Sequence, residues 1–290
     1  MKVLTKEHRH THFSPHVKPA LRVAPGEPFR IEAGSLLTAY PDGNIPSDGI
    51  VIPITGPIWV EGARVGQTLR VSVERIKLSG VGVLMTLPGM GVLGGEVSEY
   101  RTKVVRFDEE FVYFSDKIRV PVHKMIGKIG TAPTEPVRSG LPGSHGGNLD
   151  NTHVTEGASV YLPIFVDGAL LFAGDLHGAQ GDGEAFSGLE SEGEVVLRAE
   201  VREDLSVTDP VIVSRDAVVT CGAARTLEDA VRAASKNAID LLRHELGLSH
   251  GDACMLCSIG CEIRVSQVTN ALNGAKVVIP KSLLSSSRWI

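Results

Sequence analysis

The chain has 290 residues and a mass of 30.9 kDa, enough for one large domain or two subdomains around a sizeable core. Its 29 Lys+Arg against 34 Asp+Glu give a formal charge of −5 and a pI near 6.1, which argues against a nucleic-acid groove or a polybasic membrane surface. With 42% hydrophobic and 22% charged residues the sequence is not that of a disordered chain, and 32 glycines with 5% aromatics point to short elements and tight turns, not a helical bundle.

The first ten residues carry charge but no signal-peptide core, and no run approaches the roughly 18 apolar residues of a membrane span. His8, His10, His12 and His16 around Arg9 read as an exposed N-terminal segment, with one His reaching a site as the further option. Residues 21–83 hold short β-type runs at 21–24, 29–32, 50–54 and 58–61, punctuated by Pro25-Gly26 and Gly56-Pro57. The run 69–76 alternates apolar and polar residues, the mark of a half-buried antiparallel strand. Residues 80–95 read as a buried glycine-containing loop. Strands are expected again at 104–107, 111–114 and 118–122, then a long irregular segment over 127–151 with Pro133, Pro136 and Pro142. Runs 159–166 and 169–173 read as a hairpin, and 193–201 as a further strand.

The first helix comes late. Thr226 and Asp229 form a capping-box-like start, and Leu227, Ala230, Val231, Ala234, Ala238, Leu241 and Leu242 recur at helical spacing until Gly247. Ser249 and Asp252 cap a second, shorter helix through Leu256, and Gln267-Val268 and 276–280 read as terminal strands. The layout is mainly β with an α+β C-terminal portion: residues 1–205 form a β-rich body carrying both candidate site loops, and residues 206–290 pack on it. No dinucleotide fingerprint, P-loop or repeat is present.

The densest polar run, residues 174–184, directly follows an apolar strand. Asp175 and His177 are two apart, so an extended chain points both to one side, and Asp182 and Glu184 share that spacing. Gln180 and four glycines lie in the same run. An imidazole, an amide and carboxylates within ten residues suit a divalent cation and proton transfer: zinc by the imidazole, calcium by carboxylates with carbonyls. The bland reading is a set of ordinary Asp-Gly turns, less favoured for a run leaving a buried strand. A second cluster, Gly143 to His153, holds His145, Gly147, Asn148 and Asp150. Flanking one apparent hairpin, the two clusters are expected to converge at one end of a sheet.

Other candidates are weaker. Cys254, Cys257 and Cys261 have metal-like spacing but lack a fourth ligand, so buried small residues at a helix end are favoured. With Cys221 they cannot staple a chain of this size, and a reducing, cytoplasmic compartment is expected. Lys128 and Lys276 sit in apolar runs without a serine–lysine pattern, and no nucleophile elbow is present.

The chain resembles the acetamidase/formamidase family. The resemblance runs through Pro53-Ile-Thr-Gly-Pro-Ile-Trp-Val-Glu-Gly-Ala, Met125-Ile-Gly-Lys-Ile-Gly-Thr-Ala-Pro, His145-Gly-Gly-Asn-Leu-Asp and Tyr161-Leu-Pro-Ile-Phe-Val-Asp-Gly-Ala-Leu. It is most specific in Gly174-Asp-Leu-His-Gly-Ala-Gln-Gly-Asp-Gly-Glu, and extends to Val219-Thr-Cys-Gly, the Leu227 helix and Ile279-Pro-Lys. The first fifty residues match less, and the cysteine cluster departs from the pattern. The resemblance implies hydrolysis of small linear amides to carboxylate and ammonia, a β-sandwich-like body, a homodimer or higher homo-oligomer, and a divalent metal. On that basis His177, Asp175 and Asp182 are expected at the metal, with Asp150 and His145 completing or positioning the shell. Glu184 is the expected base and proton shuttle, Asn148 and Gln180 are expected to orient the amide, and glycine N–H groups such as that of Gly147 to stabilise the oxyanion. The alternatives are a hydrolase in which carboxylates or a Cys act without metal, and a non-enzymatic β-sandwich that binds a metal or small ligand.

Overall fold

The computed structural model describes residues 1–36, 51–284 and 289. In chain order the first strands that frame the fold are β1 (Lys2–Leu4), β2 (Pro28–Ala33), β3 (Ile54–Val60), β4 (Thr68–Leu78), β5 (Val81–Thr86) and β6 (Arg101–Arg106). Next come β7 (Met125–Thr131), β8 (Pro142–Gly143), β9 (Gly146–Asn148), β10 (Ser159–Pro163), β11 (Leu171–His177), β12 (Glu190–Ser191) and β13 (Gly193–Arg202). The C-terminal part adds β14 (Val211–Val213), β15 (Ala217–Ala224), α1 (Leu227–Leu246), α2 (His250–Gly260), β16 (Glu262–Gln267) and β17 (Asn273–Pro280).

Two large sheets face each other, as in a sandwich. One has nine strands in the order β1-β2-β13-β4-β10-β14-β15-β17-β16, so strands from both sides of residue 205 share it. The other follows β8-β9-β7-β11-β12-β5-β6, with β3 also paired to β11. The main core lies between them: Leu69, Val71 and Leu162 from the first sheet meet Ile126, Leu171 and Leu176 from the second. The helices cover the outer face of the nine-stranded sheet, where Ala230, Ala234, Ala238 and Leu242 pack on Val218, Val277 and Ile279. Gly222 lets α1 come this close, since a Cβ there would sit 2.4 Å from the Ala230 carbonyl oxygen. No helix of the described residues is long and apolar enough to cross a membrane.

The helices begin and end where side-chain chemistry places them. Thr226 Oγ1 accepts from the Asp229 N–H at 3.1 Å, Ser249 does the same for Asp252, and Gly247 closes α1 in the left-handed region. The alternation of β4 changes phase after Val73, so that Ile76 and not Arg75 is buried. Pairing with β13 shifts between Val196 and Leu197, and this bulge absorbs the extra residue.

Three expectations need correction. Residues 80–95 are not a buried loop: β5 pairs antiparallel with β6, and Val92 and Leu93 are exposed. Gly82 belongs to the strand because a Cβ there would lie 2.7 Å from the Leu189 side chain. Residues 127–151 are not irregular but hold β7, β8 and β9. Their glycines mark crowding, since a Cβ on Gly130 would sit 2.6 Å from the His145 carbonyl oxygen. Residues 159–173 are no hairpin: β10 pairs with β4 and β14 in one sheet, while β11 pairs with β7 in the other. The crossover between them turns at Gly168, Ala169 and Leu170, all with positive φ. Of the expected run 50–54, Ile50 lies outside the described residues and β3 starts at Ile54.

Candidate active site

Strand β11 continues past Ala173 and carries Asp175 and His177 into the interior, so both sit on a strand and not in the loop after it. Their side chains meet, with His177 Nε2 3.7 Å from Asp175 Oδ1. Strand β7, next to β11, contributes Lys128, whose ammonium lies 3.2 Å from Asp175 Oδ2 and donates to the Ile52 carbonyl at 3.0 Å. Asp150 follows β9 and approaches over Gly127. A Cβ on Gly127 would come within 2.6 Å of Asp150 Oδ1 and 3.1 Å of Asp175 Oδ2, so the two carboxylates share space that only glycine leaves open. Glu184 and Glu190 close the group, Glu190 Oε1 lying 3.2 Å from His177 Nε2.

All of these groups are buried, and their backbone is strained where the carboxylates enter. Among the described residues five non-glycine positions have positive φ, and three of them are Asp150, Asp175 and Glu184. Such conformations cost on the order of 1–3 kcal/mol each and gather where a side chain must be aimed against local preference.

The hydrogen bonds fix the orientation of His177. Gln180 Nε2 donates to the Asp150 carbonyl at 2.8 Å, so Gln180 Oε1 is left as the acceptor for His177 Nδ1 at 2.7 Å. Nδ1 therefore carries the proton and Nε2 faces the carboxylates. Glu184 is held at both oxygens, by the Gly188 N–H at 3.0 Å and Thr269 Oγ1 at 3.2 Å. Asn148 Nδ2 donates to Asp150 Oδ2.

Four carboxylates and one fixed ammonium in a dry interior push protonation in opposite directions. Burial raises Asp150 well above the ordinary carboxylate range, and the like charges of Glu184 and Asp175 add to it. Burial lifts Glu184 to about 7 against the pull of His177, and lifts Glu190 to about 8 with Asp175 adding to it. Burial would raise Asp175 too, but Lys128 and His177 outweigh it and hold that carboxyl below its usual range. For His177, burial opposes the charge, yet Glu190 and Asp175 prevail and raise it.

Asp150 Oδ1, Asp175 Oδ1, His177 Nε2 and Glu190 Oε2 are buried without a hydrogen-bond partner. The ligand atoms of Asp150, Asp175 and His177 lie within 4.8 Å of one another, as do those of His177, Glu184 and Glu190. Orphaned donors of this kind fit a divalent cation, whose charge also offsets the excess of carboxylates.

The remaining expected residues fall in different places. Asp182 is not in the group: its Oδ1 accepts from Lys276 Nζ at 2.5 Å and from Thr152 at 2.7 Å, and its Oδ2 lies 3.6 Å from Arg264. The turn at Gly181–Gly183 breaks the extended spacing that would have aligned Asp182 with Glu184. His145 is buried edge-on against Phe13, its ring centroid 4.9 Å away, and burial pushes it down to about 4. Its Nε2 has no partner and packs against Gly147. Asn148 Oδ1 is likewise unpartnered. Gln180 also lines a cavity of about 480 Å³ with Thr152, His153, Asp182 and Arg264.

Glu190, Gly127 and Thr269 are members that sequence reasoning missed, and Lys128, set among the weaker candidates there, belongs with them. Lys128 carried a signal: a lone lysine between Ile126 and Ile129 needs a buried counter-charge. Glu190 carried none, since thirteen residues separate it from His177 and no motif links them. The cysteines are all free, Cys257 is buried on α2, and no cysteine joins a ligating group among the described residues. The N-terminal histidines are mostly exposed, but the segment is tied down: Arg9–His10 pairs with β3, and His12–Phe13 pairs with residues 137–138.

Acidification tests the placement of His145. An unfolded histidine gains its proton near 6.5, while the buried ring resists until about 4. Stability is therefore complete above pH 6.5 and is lost as pH falls toward 4, by on the order of 3 kcal/mol from this group. Urea midpoints across that range should show a shallower pH slope for His145→Gln than for the unaltered chain; equal slopes contradict the burial argument.

Known proteins share the fold and the family of this chain. The family model described as the acetamidase/formamidase family matches residues 134–285. A crystal structure of a predicted acetamidase/formamidase from Thermoanaerobacter tengcongensis superposes with a TM-score of 0.93 at 38% identity, covering 100% of this chain and 98% of that one. An acetamidase structure from Bacillus halodurans gives 0.94 at 34% identity, covering 99% of each chain. A formamidase from Methylophilus methylotrophus is 47% identical over 53 residues, 18% of this chain and 13% of that protein. The matched segments span 22% or less of the curated relatives' length. By its family match and by whole-chain likeness to solved relatives, this chain belongs to the acetamidase/formamidase family.

Proposed function

We propose that the chain hydrolyses the C–N bond of small linear amides of the formamide and acetamide class, giving a carboxylate and ammonia. One observation supports this reading above the rest: a buried imidazole and four buried carboxylates, three of them with an unpartnered oxygen, lie at the heart of a chain of this family. Asp150, Asp175 and His177, with Glu190 or Glu184 beside them, are the residues that would hold a divalent ion. The imidazole–carboxylate donor set suits zinc first, and calcium second. Such an ion supplies Lewis acidity, lowering the pKa of a water and polarising the amide carbonyl.

The chain's own side chains do the rest. Lys128 keeps Asp175 ionised, and Gln180 locks the tautomer that presents His177 Nε2. Glu184, with a pKa near neutrality, takes a proton from the attacking water and passes it to the departing nitrogen. Asn148 Oδ1, a free acceptor, receives an amide N–H, and His145 Nε2 beside Gly147 is a second unpartnered group for orienting the substrate. Asp182 in this reading anchors Lys276 and takes no part in the ion's shell. The four free thiols suit a reducing cytoplasm.

Equal release of ammonia and carboxylate from formamide or acetamide tests the proposal; binding without turnover contradicts it. Gly127→Ala should abolish most of that turnover, by about 100-fold or more, because its methyl enters the space of both aspartates. Retention of full activity by a folded Gly127→Ala protein would remove the shared site from the account.

A further inference from the structure

Lys276 is a fully buried lysine outside the carboxylate cluster. It lies on β17 between Ala275 and Val277, which pack beneath the helices. Strand alternation therefore sends its side chain to the other face of the nine-stranded sheet, the side on which Val278 joins the main core. There the ammonium meets two separate segments of chain. It donates to Thr152 Oγ1 at 2.9 Å and to Asp182 Oδ1 at 2.5 Å, with Asn151 Oδ1 at 3.4 Å. Thr152 Oγ1 donates to the same Asp182 oxygen at 2.7 Å, which closes a triangle.

Both segments feed the cluster. Thr152 stands two residues after Asp150, and Asp182 two residues before Glu184. Asp150 and Glu184 have φ of 41° and 38°, so their backbone keeps its course only where the surroundings enforce it. The bond from Gln180 to the Asp150 carbonyl ties the segments at one point, and the ammonium of Lys276 ties them at another. An apolar side chain of the same length would fill the space beneath β17 without the cost of burying a charge. It could not hold oxygens of two loops at one point.

We propose that Lys276 is a positioning residue of the site: its ammonium staples Thr152 to Asp182 and thereby fixes the directions in which Asp150 and Glu184 enter the cluster. This rests on the reading of the cluster as an ion site, and not on the choice of an amide as substrate. Zinc titration of the chelator-stripped full chain against a chromophoric chelator should give a Kd about 10–100-fold higher for Lys276→Met. Thr152→Val, which leaves the Lys276–Asp182 pair whole, should raise it by a smaller factor, and it carries the test should Lys276→Met not fold. Adding Asp182→Asn to Lys276→Met removes the carboxylate left without its ammonium and should not restore affinity. Amide hydrogen exchange in chelator reads the staple without metal: in Lys276→Met, residues 150–153 and 180–184 should exchange at least about tenfold faster while α1 keeps its rates. Unchanged zinc affinity in both folded variants, or unchanged exchange in both segments, overturns the proposal. Restoration by Asp182→Asn assigns the loss to an unpaired carboxylate and overturns it too. An unaltered chain that binds no zinc overturns the ion site, and exchange then decides the staple; zinc binding without amide turnover overturns the hydrolase reading alone.

Discussion

Glu184→Gln should lower amide turnover by about 10²–10⁴-fold while leaving the fold and its stability intact. The substitution is close to isosteric. Its Oε1 can still accept from the Gly188 N–H, and its new amide can donate to Thr269 Oγ1, so both contacts of Glu184 survive. What is lost is a carboxylate that burial has raised to about 7, a group suited to accept and return a proton near neutral pH. Substrate affinity should change little beside kcat, because the loss falls on a proton in flight. Steady-state ammonia release and thermal unfolding, run on the same preparation, check this. Unimpaired turnover would assign the proton transfer to another side chain.

Lys128→Met should destabilise the chain in chelator by about 3–5 kcal/mol, the cost of leaving a buried charge without its partner. Asp175 is buried with its carboxyl held below the usual range, and the ammonium beside it is that of Lys128, with the His177 imidazole at its other oxygen. Removing the ammonium leaves four carboxylates around one imidazole. A divalent ion should recover part of the loss, since a ligand that binds only the folded state stabilises it by mass action. Urea unfolding of both proteins, with chelator and with added zinc, gives the comparison. Equal stability in chelator contradicts the charge balance described for this cluster.

How far the sequence announced this structure depends on where packing and local pattern agree. Helix α1 was fully legible, since Thr226, Gly247 and the alanine stripe are local signals that the tertiary structure keeps. The alternation of β4 was legible too, but not the bulge after Val73 that shifts its phase. The glycine-rich strands were not. Gly82, Gly127 and Gly130 look like loop residues, but each sits in a strand because a neighbouring chain or side chain occupies the space of its Cβ. That information is three-dimensional.

The site divides in the same way. Asp175 and His177 follow from strand alternation, and Asp150 and Glu184 from polar runs beside them. Asp182 shared that sequence signal but turns to Lys276, because the chain bends at Gly181 and Gly183. Glu190 enters from a strand far along the chain, and only its pairing with Val83 on one side and His177 on the other brings it in. The positive φ values of Asp150, Asp175 and Glu184 show why local propensity could not foresee their directions: tertiary packing imposes them.

The most direct test of the central claim is ammonia release from formamide and acetamide by the chelator-stripped protein, before and after stoichiometric zinc or calcium, with His177→Ala in parallel. Little turnover is expected when stripped, with recovery on one bound ion per chain, and neither ion binding nor recovery in folded His177→Ala. Full turnover by the stripped protein, or by folded His177→Ala, would contradict it.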